Sequence, residues 1–237
     1  MNTPISTRQK DLLAALIREY IELAKPVSSN ALVGGENLEL SPATVRNDLM
    51  ALEDAGYLHQ PHTSAGRIPT DQGWQWYIDH VLKNDDLSKK ERDLLSAVVE
   101  SHRESQTDLL RQLAKTMAEL VQESVIVSFG KSDTFYTGLS NIFAQPEFED
   151  VDVMQHFSRL VDHLDDVMAQ MFERADNNVQ ILIGKANPFG RDCGAIITRY
   201  ATPDHAGVIG ILGPMRQDYD EHVAMVRYAQ SLLHSLS

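Results

Sequence analysis

The run Ser41-Pro42-Ala43-Thr44-Val45-Arg46-Asn47-Asp48 places three hydrogen-bonding side chains, Thr44, Arg46 and Asn47, close together. A major groove gives each a use. Arginine donates two hydrogen bonds to guanine, asparagine reads adenine, and threonine bonds a base edge or touches a thymine methyl. Ser41 precedes them at a helix start, whose free amides suit a phosphate. Further on, His62, Thr63, Ser64 and Arg67 gather small polar donors and a cation in one turn. A ribbon tip of that kind reaches DNA backbone or minor groove. Taken separately, the first group is an ordinary solvated helix face and the second an ordinary hairpin. Their succession at helix-turn-helix spacing is what points to nucleic acid.

The elements that must position them are legible. Ser6 with Gln9 forms a capping box, and Leu12, Leu13, Leu16, Ile17, Tyr20 and Ile21 recur at helical spacing. Ser28-Ser29 can cap a short second helix through Leu32-Val33, broken by Gly34-Gly35. Ser41 and Pro42 open a third helix with Val45, Leu49 and Leu52 as its buried stripe, stopped at Gly56. The opposite face is then Ala43, Thr44, Arg46, Asn47 and Met50. Tyr57–Gln60 and Arg67–Pro69 read as short strands around a polar turn. Asp71 to Leu82 reads as a helix with Trp74, Tyr77, Ile78 and Val81 inward. This order is that of a winged helix-turn-helix, expected over residues 1–83.

Lys83-Asn84-Asp85-Asp86 marks the domain boundary. Ser88 with Glu91 starts helical sequence to about Glu123, interrupted by polar Ser101–Gln106, so residues 84–123 read as a helical linker. Strands are expected at Val125–Phe129, Thr134–Thr137, Val179–Ile183, Ala195–Tyr200 and Val208–Leu212. Helices are expected at Val151–Ala175 and Asp218–Leu236. Helices packed on a small, largely antiparallel sheet make residues 124–237 an α+β, sensor-like domain.

Composition fits a globular protein, with 43% hydrophobic and 23% charged residues among 237. No apolar run approaches the ~20 residues of a bilayer span, and no signal pattern opens the chain, so a cytoplasmic location without membrane contact is expected. The net charge is −13. Residues 1–90 carry 9 basic and 12 acidic side chains, residues 91–237 carry 12 and 22. DNA affinity must therefore come from a few placed charges and helix N-termini rather than a broad positive field. The single Cys193 excludes an internal disulfide. His156 and His163, near Asp152 and Asp162, are a weak metal constellation, and Asp165-Asp166 reads as a solvated face. No nucleophile elbow, triad or phosphate loop is present, so neither catalysis nor a cofactor is expected.

Ser41 to Asp48, then Leu52-Glu53 and Gly56-Tyr57-Leu58, resembles the N-terminal domain of the heat-inducible transcription repressors of the HrcA family. The segment Gln60-Pro61-His62-Thr63-Ser64-Ala65-Gly66-Arg67-Ile68-Pro69-Thr70 is a still more specific match. Tyr136–Ile142, Gln145–Phe148 and Ile209–Arg216 resemble that family's C-terminal part. The resemblance implies a dimeric repressor on an inverted-repeat operator upstream of chaperone and chaperonin genes, released on heat shock and restored with the chaperonin's help. It also implies a GAF-type second domain, here reduced: the family's dimerising insert is missing between Phe129 and Tyr136, which leaves the helices within residues 84–123 as the candidate dimer interface. Asn30, Gln72 and Gln75 stand where the family often carries basic residues, which implies fewer phosphate contacts. On this reading Thr44, Arg46 and Asn47 read bases, while Ser41, His62, Thr63, Ser64 and Arg67 serve the DNA backbone. The alternative is a ligand- or protein-sensing regulator of another regulon using the same winged helix.

Overall fold

A computed structural model describes residues 5–33, 40–83, 86–131 and 133–236, and the chain divides into two units, Met1–Leu82 and Lys83–Ser237. In the first, α1 (Thr7–Leu23) starts at the expected capping box: Ser6 Oγ accepts from the Gln9 amide while the Gln9 side chain accepts from the Ser6 amide. Its Leu12, Leu13, Leu16 and Ile17 are fully buried. Helix α2 (Pro42–Asp54) is capped by Ser41 with proline at its start, and buries Val45, Leu49 and Leu52 completely. Gly56, at φ +83°, turns the chain out of α2. Strands β1 (Leu58–His59) and β2 (Ile68–Pro69) then pair antiparallel. Helix α3 (Asp71–His80) is shorter than expected. It packs Trp74 and Tyr77 inward, with the Trp74 ring 6.2 Å from that of Tyr20 on α1.

The short helix expected at Ser28–Val33 is instead a pair of turns. The Ala31 amide donates to Ser28 and the Val33 amide to Asn30, without the successive bonds a helix needs. Ser28 caps, but nothing propagates. The Gly34-Gly35 break lies outside the described residues.

In the second unit the polar stretch around residues 102–105 separates α4 (Lys89–Ser101) from α5 (Gln106–Val121), which Ser105 caps. Five strands follow: β3 (Ser124–Ser128), β4 (Thr134–Thr137), β5 (Gln180–Leu182), β6 (Cys193–Ala201) and β7 (Ala206–Pro214). They form an antiparallel sheet in the order β4-β3-β7-β6-β5. Among the described residues this unit is thus α+β, with short α6 (Leu139–Phe143), α7 (Val151–Asp162), α8 (Leu164–Arg174) and α9 (Tyr219–His234) completing it. The single helix expected over Val151–Ala175 is two, because His163 leaves helical geometry at φ −117°, ψ 17°.

Side chains alternate across the strands, so each strand feeds two layers. Ile126, Ala195, Ile197, Val208 and Leu212 meet Ile142, Phe157, Leu164, Met168 and Met171 from α6–α8. The alternate residues, including Val125, Val127, Ile196 and Ile211, are equally buried, on the side where α5 and α9 pack. Burial on both faces is why these strands read as continuous apolar runs. The apolar face of α5 (Leu109, Leu113, Met117) is therefore taken up by its own sheet rather than left for a partner. On α4, Leu95 and Val99 are buried and Leu94 is exposed.

Two buried ionisable groups stand out. Glu123, between α5 and β3, is 4% exposed, and its Oε2 has no hydrogen-bond partner. Burial pushes its carboxyl up to about 8; nearby Arg216 opposes this and Glu147 adds to it. Burial pushes His222 on α9 down to about 4, and its Nδ1 lies 2.9 Å from Gln217 Oε1. Among the described residues, no helix is long and apolar enough to cross a membrane.

Candidate nucleic-acid interface

The outer face of α2 is set by its inner one. With Val45, Leu49 and Leu52 inward, Ala43, Arg46, Asn47 and Met50 are exposed. Among the described residues neither Arg46 nor Asn47 is engaged by another side chain, so their donors are available. Ser41 and Thr44 are tied together: Ser41 Oγ accepts from the Thr44 amide at 3.1 Å and lies 2.9 Å from Thr44 Oγ1. Both therefore serve the helix start first, and Thr44 is half-buried.

Asp48, which the sequence reading left unassigned, is buried. It receives Arg8 through two hydrogen bonds, Nε to Oδ2 at 2.6 Å and Nη2 to Oδ1 at 3.0 Å. This fork joins the start of α1 to the middle of α2, and the carboxylate beside it raises the Arg8 pKa. The signal was present: Asp48 falls next to Leu49 and three residues after Val45, on the stripe that must face inward.

The ribbon hangs on another carboxylate that sequence reasoning missed. Glu53, in the last turn of α2, accepts the Gln60 amide on Oε1 at 3.2 Å and Arg67 Nε on Oε2 at 3.0 Å. The Arg67 side chain is only 12% exposed. It lies at the ribbon's root rather than its tip, so it is not the loose cation that its neighbourhood of turn residues suggested. Its backbone exchanges two hydrogen bonds with Val27, at 2.9 and 2.8 Å. Gly66 permits this approach, since a Cβ there would lie 2.4 Å from the Val27 carbonyl. The Gln60 side chain closes the turn by donating to the Thr63 and Ala65 carbonyls. What the tip offers is His62, Thr63 and Ser64, all exposed, with His62 Nδ1 3.2 Å from Ser64 Oγ.

The remaining residues singled out in the sequence lie in the second unit. His156 faces Asp192 at 3.3 Å rather than Asp152, and His163 is 3.9 Å from Asp166. Cys193 is buried, which pushes its thiol up to about 12.

A crystal structure described only as that of a hypothetical protein superposes with a TM-score of 0.73. It covers 98% of this chain and 99% of its own at 18% identity, a likeness of fold. The heat-inducible transcription repressor HrcA of Halalkalibacterium halodurans is 24% identical over 98% of this chain and 97% of its own length. That alignment runs to 335 positions, so roughly a hundred have no residue of this chain opposite them. The repressors of the same name from Carboxydothermus hydrogenoformans and Thermosynechococcus vestitus are 38% and 42% identical. Those matches cover 52% and 51% of this chain and 36% and 34% of the relatives. The family described as the HrcA protein C terminal domain matches residues 72–223, from α3 through the sheet and into α9. With well over half its length matched in this way, the chain belongs to the HrcA family.

Proposed function

We propose that this chain is a transcriptional repressor of heat-shock genes that binds double-stranded DNA through a winged helix-turn-helix in its first unit. The observation that carries the proposal is the pairing of α2 and the ribbon. An exposed face with Arg46 and Asn47 is tied to α1 through Asp48 and to the ribbon through Glu53, and the ribbon tip presents the polar side chains of His62, Thr63 and Ser64. Helix α2 would lie in the major groove, Arg46 and Asn47 reading base edges and Thr44 the edge nearest the helix start. His62, Thr63 and Ser64 would meet the backbone, and Ser41 would turn the amides of the helix start toward a phosphate. Arg67 would act through Glu53, keeping the wing in place.

One recognition helix covers a half-site, so an inverted-repeat operator calls for a homodimer. Among the described residues of 84–123, the exposed side of α4 around Leu94 offers an apolar position for pairing. The second unit, read as a reduced GAF-like regulatory domain, would set the response to heat: its melting would remove the paired geometry while the winged helix stays folded. A chaperonin acting on that unit, in the cytoplasm, would restore repression. Gel-shift titration on the inverted repeat and on a scrambled duplex, at two salt concentrations, tests the reading. A clear preference for the repeat supports it, and equal binding to both sinks it.

A further inference from the structure

The second unit contains a cavity of about 430 Å³ between α7, the start of α8 and the loop at residues 188–192. That volume lies within the range of small-molecule sites. Its inner wall is apolar, made by Val153, Phe157, Leu160 and Phe189. Phe157 and Phe189 are fully or nearly fully buried, so this wall belongs to the packed core and is not a collapsed surface groove.

The loop at residues 188–192 is braced by the side chain just before it. Asn187, buried, donates from Nδ2 to the Cys193 carbonyl at 2.8 Å and accepts the Phe189 amide on Oδ1 at 3.0 Å. One amide therefore ties the residues on either side of the loop together and orders its first turn, which preorganises the cavity.

Two arginines, Arg159 and Arg191, line the rim with His156, His163 and the carboxylate of Asp192, and Asp166 stands 3.9 Å from His163. Asp192 is already engaged, 3.5 Å from Arg191 and 3.3 Å from His156. Arg159 makes no ion pair among the described residues. A cationic rim over an apolar wall, in a chain of net charge −13, selects a ligand with an acidic head and an apolar body.

We infer that this cavity binds a small apolar carboxylate, an acyl or aryl acid whose head meets Arg159 and Arg191 and whose body lies on Phe157 and Phe189. The cavity ends on Cys193, the first residue of β6, which pairs with β7 through the middle of the sheet. Occupancy therefore raises the stability of the second unit by linkage. The site does not depend on the DNA-binding reading.

Calorimetric titration of the full chain with octanoate, octylammonium and 1-octanol tests it, with thermal melting in parallel. Octanoate is expected to bind at one site and raise the melting temperature, with octylammonium at least about tenfold weaker. Replacing both arginines, Arg159→Gln with Arg191→Gln, should weaken octanoate about tenfold and leave 1-octanol unchanged, since two exposed charge contacts are worth about that much. Val153→Trp, which fills the cavity, should remove binding of all three. Equal affinity for octanoate and octylammonium, unchanged octanoate binding by the double variant, or no octanoate binding at all would each overturn the assignment.

Discussion

Replacing Arg67 with alanine removes the donor 3.0 Å from Glu53 Oε2 and strips the ribbon's root of a side chain that is 12% exposed. Glu53 keeps the Gln60 amide on its other oxygen, so the cost is one charge-assisted bond and the partial stranding of a half-buried carboxylate, about 1–3 kcal/mol. In a unit of this size each kcal/mol lowers the melting temperature by roughly 4–8 °C. Arg46→Ala is the control. Its side chain is exposed, so stability should change by less than about 0.5 kcal/mol, while specific operator binding should weaken by about 1–3 kcal/mol with relaxed base preference. Melting curves and gel shifts on both variants separate the roles. If Arg67→Ala melts like the parent and loses affinity equally for every sequence, Arg67 contacts phosphate and the assignment of a wing anchor is wrong.

Gly66→Ala should be harsher than a surface change, because the new Cβ meets the Val27 carbonyl at 2.4 Å; a loss of about 1–3 kcal/mol, read by denaturant unfolding, is expected. Salt dependence should be shallow. Of the basic residues in positions 1–82, Arg8 and Arg67 are held by Asp48 and Glu53, leaving Lys10, Arg18, Lys25 and Arg46. The log–log slope of operator affinity against salt should then be no steeper than about −4 per protomer, and a steeper slope would bring in cations from elsewhere. The second unit should lose stability as pH rises from the usual carboxylate range to about 8. Glu123 titrates in the usual carboxylate range when unfolded but near 8 when folded. Raising pH across that window ionises the unfolded state first and removes on the order of a few kcal/mol, with no further loss above about 8. Glu123→Gln should flatten that slope in melts at several pH values. His222 acts at the other end: its folded pKa near 4 lies below the usual histidine value, so stability falls as pH drops from that value toward 4, and His222→Gln should flatten the acid side.

Periodicity made most of the fold legible. The inner stripes of α1 and α2, the change of period into the ribbon and the apolar runs of β3, β6 and β7 follow from burial on one face or two. What escaped was set by contacts distant in sequence. Asp48 meets Arg8 forty residues away, and a carboxylate on an apolar stripe states that it needs a partner without saying which. Arg67 shares its surroundings with exposed turn residues, and only the return of the chain past Val27 encloses it. The break at His163 left no mark, since apolar spacing continues through it into α8. The exposed donors Arg46 and Asn47 were readable because an outer face is whatever the inner face leaves.

Glu53 uses its two oxygens on the two sides of the ribbon, one after the outgoing strand and one before the returning strand, from a place in the last turn of α2. The distance between the exposed face of α2 and the ribbon tip is thereby a property of one chain, fixed by a few hydrogen bonds. On the proposed DNA-binding reading, a change in the gap between half-sites would fall on whatever joins two copies of the chain. A drift within a half-site would have to break Glu53's grip. The chain thus carries a stiff ruler of its own, and on that reading any tolerance in the choice of operators must be sought outside that ruler.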